Sequence, residues 1–178
     1  MILLIIGLVL FVGIHFLPMF EGLRSAVVEK LGENVYKAVF SIVSIVGLVL
    51  MVMGYKQTEV TPLWDTPSWG RQLLFLLMIP ATILFVAANF KSHIRNRLRH
   101  PMLIGTIIWS LGHLIVDGHL AALFLFGSLT AFAVIDIISV NSRKAAETQE
   151  LIGIKYDVIA VIVGLGAYVV ILKLHGLI

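Results

Sequence analysis

The sequence predicts an all-α integral membrane protein, a bundle of about six transmembrane helices with both termini on the outer side. Three observations predict it. The chain is 60% hydrophobic and 13% charged, with a mean hydropathy of +1.04. The usual charged share of a soluble domain is about 25%, so lipid must be the solvent for most of this surface. The apolar residues also gather into six runs, most of them near the ~20 residues needed to cross a hydrocarbon core. Finally, the Lys and Arg residues sort onto alternate connections.

The first run is Met1–Leu17. It has no basic n-region, and Phe16-Leu17-Pro18 is too bulky for a signal-peptidase site, so a retained helix is expected. Pro18–Val35 follows, with Glu21, Glu29 and Glu33 mixed with Arg24 and Lys30. It is the longest connection and suits a short surface helix. The second and third spans are Tyr36–Tyr55 and Gln72–Phe90. Between them Pro62, Trp64, Pro67 and Trp69 suit an interfacial loop with aromatic anchors. The fourth span, Pro101–Val116, is short and opens on a proline, which costs no hydrogen bond in the first turn. Asp117-Gly118-His119 reverses the chain into the fifth, His119–Val140, and Tyr156–Leu174 is the sixth. Residues 1–178 are read as one domain.

Numbering the connections alternately gives one side Arg24, Lys30, Lys37, Lys91, Arg95, Arg97, Arg99, Arg143, Lys144 and Lys155. The other side receives Lys56, Arg71 and Lys173. The positive-inside rule makes the first group cytoplasmic and points both ends outward, as in a multi-pass protein of a bacterial inner membrane. The net charge of +3 comes without a basic stripe interleaved with aromatics, so nucleic acid is not an expected partner. With no cysteine, disulfides and thiolate ligands are excluded. The glycine pairs Gly47–Gly54 and Gly164–Gly166 suit close helix packing, within the chain or in a homo-oligomer.

Polar groups within the spans carry the functional signal, because each costs a few kcal/mol to insert. They are His15, Asn89, His113 and Asp136. Asn89 and Asp136 suit a polar clamp, with Arg95 or Arg99 as ion partner for the carboxylate. Pro101, Gly105, Trp109 and His113 recur at intervals of four on one helical face, with Thr106, Ser110 and Gly112 beside it. A similar face, Gly7–Phe11–His15, closes the first span. The plainer reading of such a histidine is a helix–helix hydrogen bond. The sharper one is a metal centre. Two imidazoles without an acidic cluster suit an axially ligated haem, with glycines giving a slot and the Lys91–Arg99 run meeting the propionates. A non-haem ion would need a third ligand, for which His100 is the candidate. On this topology His113 lies about 18 Å along its helix from Pro101, whereas His100 is nearer the level of His15.

The same residues carry a resemblance. Arg99-His100-Pro101-Met102-Leu103-Ile104-Gly105, Trp109-Ser110-Leu111-Gly112-His113-Leu114, Gly118-His119-Leu120 and Leu125-Phe126-Gly127 resemble the core signature of the NnrU family. Phe11 and His15 match its first-helix pattern. That family takes its name from gene clusters of nitrogen-oxide respiration and is similar to 15-cis-zeta-carotene isomerase, a membrane enzyme holding haem b. The resemblance implies haem b ligated at the positions of His15 and His113, with Arg99, His100 and Trp109 around the cofactor. It also implies a lipid-soluble polyene or a redox partner as substrate class. Ser110 stands where the isomerase carries a cysteine, so that enzyme's thiol has no counterpart here.

Two other readings belong to different classes. Arg99-His100-Pro101 is similar to the start of the methyl-donor site in membrane isoprenylcysteine and phospholipid methyltransferases. The paired glutamates of those enzymes are missing from residues 141–150. A non-catalytic accessory subunit would use the same polar residues only to hold a partner.

Overall fold

In a computed structural model of the chain, residues 1–142 and 153–177 are described. The predicted cytoplasmic cations Arg143 and Lys144, with Glu147 and Glu150 of the methyltransferase comparison, lie outside those residues. The described residues are helical without a β-strand, the extended geometry being limited to an isolated bridge between Pro62 and His119. Among the described residues, five helices are long and apolar enough to cross a membrane: α1 (Ile2–Phe16, prolonged by a 3-10 turn to Met19), α3 (Glu33–Gln57), α4 (Gly70–Ala87), α7 (Leu120–Ser142) and α8 (Lys155–Leu174). The fourth predicted span is present as α6, Pro101–Val116, a 16-residue apolar helix. At 1.5 Å per residue it measures about 24 Å, short of a hydrocarbon core of ~30 Å. Two further helices lie between spans: α2 (Glu21–Leu31), with no buried residue, and α5 (His93–Leu98).

The chain divides into two compact units. The first holds Met1–Trp64 with Gly118–Phe132, hence α1, α2, α3 and the first part of α7. Its centre is a glycine seam between α1 and α3. A Cβ on Gly7 would lie 2.5 Å from the Met51 nitrogen and 2.7 Å from the Gly47 oxygen. One on Gly47 would lie 2.8 Å from the Phe11 nitrogen. Only hydrogen fits there, so the two backbones meet directly, as small residues permit in membranes. Gly54 meets the backbone of Leu4 in the same way. Leu4, Leu8, Met51 and Ala121 fill the remaining core. Gly47 and Gly54 therefore serve packing within the chain.

The loop that follows α3 in this unit is held to the start of α7. Leu63 and Trp64 N–H groups donate to the Gly118 carbonyl at 2.8 and 3.1 Å, and Leu120 N–H donates to the Thr61 carbonyl at 2.9 Å. The Trp64 carbonyl occupies the space a Cβ on Gly118 would need. The expected reversal at Asp117-Gly118-His119 thus has a second physical cause, the loop packed onto it. His119 caps α7: its Nδ1 accepts from Ala122 N–H at 3.2 Å, which puts the proton on Nε2, 3.2 Å from the Tyr55 hydroxyl.

The second unit holds Asp65–Asp117 with the chain from Ala133 onward. Here α4 packs against both α6 and α8. Gly164 brings α8 close to the α4 backbone, its would-be Cβ 2.6 Å from the Ile83 Cα. The α4–α6 contact is looser. Gly105 would meet the Ala81 oxygen and the Phe85 ring at 3.2 Å, and Gly112 the side-chain tips of Met78 and Leu74 at 3.0 and 3.1 Å. Gly166, the other half of the predicted pair, has open space where a Cβ would be. Pro80 interrupts the hydrogen-bond ladder of α4 between these contacts.

Candidate functional site

The second unit contains an apolar cavity of about 150 Å³ between α4, α6 and the end of α8. Its walls include Met78, Thr82, Trp109, His113, Tyr168 and His175. The sequence of α6 explains how His113 reaches it. Gly105 and Gly112 turn one face toward α4, and the i, i+4 pair Trp109–His113 projects beside that contact. The two rings are 5.2 Å apart and tilted by 51°. His113 Nδ1 is 2.8 Å from the Trp109 carbonyl. A carbonyl only accepts, so Nδ1 carries the proton and the lone pair resides on Nε2. This is the tautomer of an imidazole that ligates through Nε2 while its other nitrogen is held by a carbonyl.

His15 repeats the arrangement in the first unit. Its Nδ1 lies 2.6 Å from the Phe11 carbonyl, again fixing the proton there. Three rings surround it: Phe11 at 4.3 Å, Phe40 at 5.0 Å and Phe132 at 5.7 Å. His15 and His113 thus belong to different units and share one device, each within its own.

Not every expected residue takes the expected part. His100 Nε2 donates to Asn141 Oδ1 at 2.9 Å, joining the start of α6 to the end of α7. Among the described residues no group of three or more His, Cys, Asp or Glu is placed to hold a metal ion, so His100 completes no non-haem centre there. Arg99 stands at a positive φ of 60° between α5 and α6, a conformation rare for a side chain of its size. The Lys91–Arg99 run lies at the opposite end of α6 from His113, about 18 Å along the axis. It is not where propionates of a haem on His113 would reach. The glycines, likewise, do not form an open slot: Gly7, Gly105 and Gly112 are filled by neighbouring helices. Asn89 donates to its own helix, at the Phe85 carbonyl 3.0 Å away, and Ser110, fully buried, donates to the Thr106 carbonyl at 2.6 Å. Both follow the ordinary route by which a short polar chain is satisfied in an apolar helix.

Sequence reasoning missed His175, Tyr168 and Thr82. His175 shares the cavity wall with His113, and its Nδ1 faces the Ile171 carbonyl at 2.8 Å. Tyr168, Ile171, Leu172 and His175 recur at i, i+3, i+4 and i+7, a helical face that was legible. The link between His93 and Asp157 was missed too, at 2.7 Å from Nδ1 to Oδ2.

The fit of a haem is partial. Donor chemistry agrees, since both histidines present the required tautomer. Volume does not agree within the second unit alone, because about 150 Å³ is below the ~300 Å³ that encloses even a drug-sized ligand.

No curated protein and no solved structure matches the chain. The family model described as NnrU protein matches residues 3–178. With the signature around Arg99–Gly127 and the first-helix pattern both inside that match, the chain belongs to the NnrU family.

Proposed function

We propose that this protein is a haem b-binding membrane protein in which His113 and His15 are the ligating histidines. One observation carries the reading: each of the two imidazoles is held through Nδ1–H by the carbonyl four residues earlier. That bond orients the ring and fixes the tautomer in which Nε2 carries the lone pair. His175 makes the same bond at the rim of the same cavity, so a lone pair on Nε2 is not by itself a mark of ligation. His113 differs in lying within the apolar wall beside Trp109. Bound haem b would supply a one-electron redox centre and a Lewis acid at that wall. The chain's own residues hold the imidazole and exclude water with Met78 and Trp109, and the substrate class in this reading is lipid-soluble, such as a polyene. Ser110 offers no thiol, so a ligand exchange based on sulfur forms no part of the proposal.

The same reading includes six crossings, with α6 as the short fourth, both ends outward and the inner membrane of a bacterium as the site. The sorting of Lys and Arg supports it. The purified protein is expected to show a Soret band that shifts on reduction and weakens in His113→Ala and His15→Ala. A monodisperse, colourless protein that takes up no haem on reconstitution would overturn the proposal.

A further inference from the structure

We propose that the face made by α5 and the start of α8 binds the headgroup of an anionic phospholipid from the surrounding leaflet. The inference is independent of the haem reading and starts from the cations that reading does not use.

Between the end of α4 and the start of α6 the chain carries Lys91, Arg95, Arg97 and Arg99 with no acidic residue among them. Lys155 opens α8 nearby, since His93 bonds to Asp157 in the first turn of α8. Among the described residues the ion pairs are Lys37–Glu33 and His93–Asp157, so none of these five cations has a carboxylate partner there. Among the described residues, Asp157 is the acid that lines this face. Its Oδ2 takes His93 Nδ1 at 2.7 Å and its Oδ1 takes Ile94 N–H at 2.9 Å. The carboxylate is thus used in fastening α5 to α8, and Arg97 remains for an outside anion.

The positive-inside rule accounts for cations at this end of the helices. It does not account for the shape they border. A groove of about 360 Å³ is lined by His93, Ile94, Arg97, Ile154 and Asp157. It pairs a guanidinium with two isoleucines, one of them, Ile154, 73% exposed. A phospholipid has that order of parts, a phosphate above an apolar chain. Because α5 directly joins two apolar helices, it lies at headgroup level. Phe90 and Tyr156 stack at 6.0 Å beside it, an aromatic contact suited to that depth. Basic pockets between membrane helices recognise anionic headgroups by this chemistry, each Lys or Arg contributing roughly fivefold in affinity near the surface.

The test uses the full chain in nanodiscs of mixed phosphatidylglycerol and phosphatidylcholine, followed by detergent extraction and native mass spectrometry of retained lipid. Wild type is expected to retain phosphatidylglycerol over phosphatidylcholine by about fivefold or more. The variant R95Q/R97Q/R99Q should fall toward parity, and K56Q/R71Q, which removes cations elsewhere, should match wild type. Equal retention of both lipids by wild type, or undiminished preference in a folded R95Q/R97Q/R99Q, would overturn the proposal. Should that variant not fold, wild type decides alone: a roughly tenfold rise in NaCl during extraction should erase the preference, and a preference indifferent to salt contradicts it.

Discussion

The two units solve the same packing problem with glycine and arrive at different surfaces. In the first, Gly7, Gly47 and Gly54 bring the backbones of α1 and α3 directly against each other. In the second, Gly164 meets the α4 backbone, but Gly105 and Gly112 face mostly side chains of α4, and a cavity with two histidines in its wall remains between α4, α6 and α8. What a glycine meets, rather than where it recurs, decides whether a helix pair is a seam or a site. The α1–α3 seam of the first unit is therefore expected to respond to added volume more strongly than the α4–α6 contact of the second.

The largest effect is expected at the seam. Gly47→Val would drive its side chain into the backbone of Phe11, and a loss of about 3 kcal/mol or more is predicted from overpacking where no flexible tip can yield. Unfolding of the purified protein in mixed micelles checks it, and wild-type stability would refute the seam. Next comes His119→Ala, which removes both the cap on Ala122 N–H and the contact with Tyr55. About 1–2 kcal/mol is expected by the same measurement. His100→Ala, which cuts the link to Asn141, should cost about 1 kcal/mol and leave the absorption spectrum of any bound haem unchanged. A spectral change as large as that of His113→Ala would return His100 to the ligand set. The smallest effect is predicted for Gly112→Ala, under about 1 kcal/mol, because the Met78 and Leu74 tips can move aside. A loss equal to that at Gly47 would erase the difference between the units.

Most of this architecture was legible in the sequence, and the reasons differ by element. Pro101 and the Asp117-Gly118 reversal fix both ends of α6, and the predicted and observed bounds coincide. For α3 the predicted span stopped at Tyr36 and Tyr55, whereas the helix runs from Glu33 to Gln57. Polar end turns continue a helix beyond its apolar stretch, stabilised here by Lys37–Glu33. The helix α5 was missed because its six residues carry no apolar period. Its signal was Ser92, whose hydroxyl accepts from Arg95 N–H as an N-cap at 3.2 Å.

The site was legible only by halves. His113 and Trp109 share a face by spacing alone, and that face does line a cavity. The role of the glycines was not readable, since a glycine in sequence does not declare which neighbour fills its space. Nor was the cavity wall that His113 shares with His175, residues far apart in the chain that line one space because α6 and α8 both pack on α4.

The most direct measurement is haem content per chain, by pyridine haemochrome assay, of wild type, His113→Ala and His119→Ala after reconstitution with haemin. A haem-bearing wild type and His119→Ala, with His113→Ala largely depleted yet folded, is the predicted result. Equal haem in wild type and His113→Ala, or none in wild type, would contradict the assignment of His113 as a ligand.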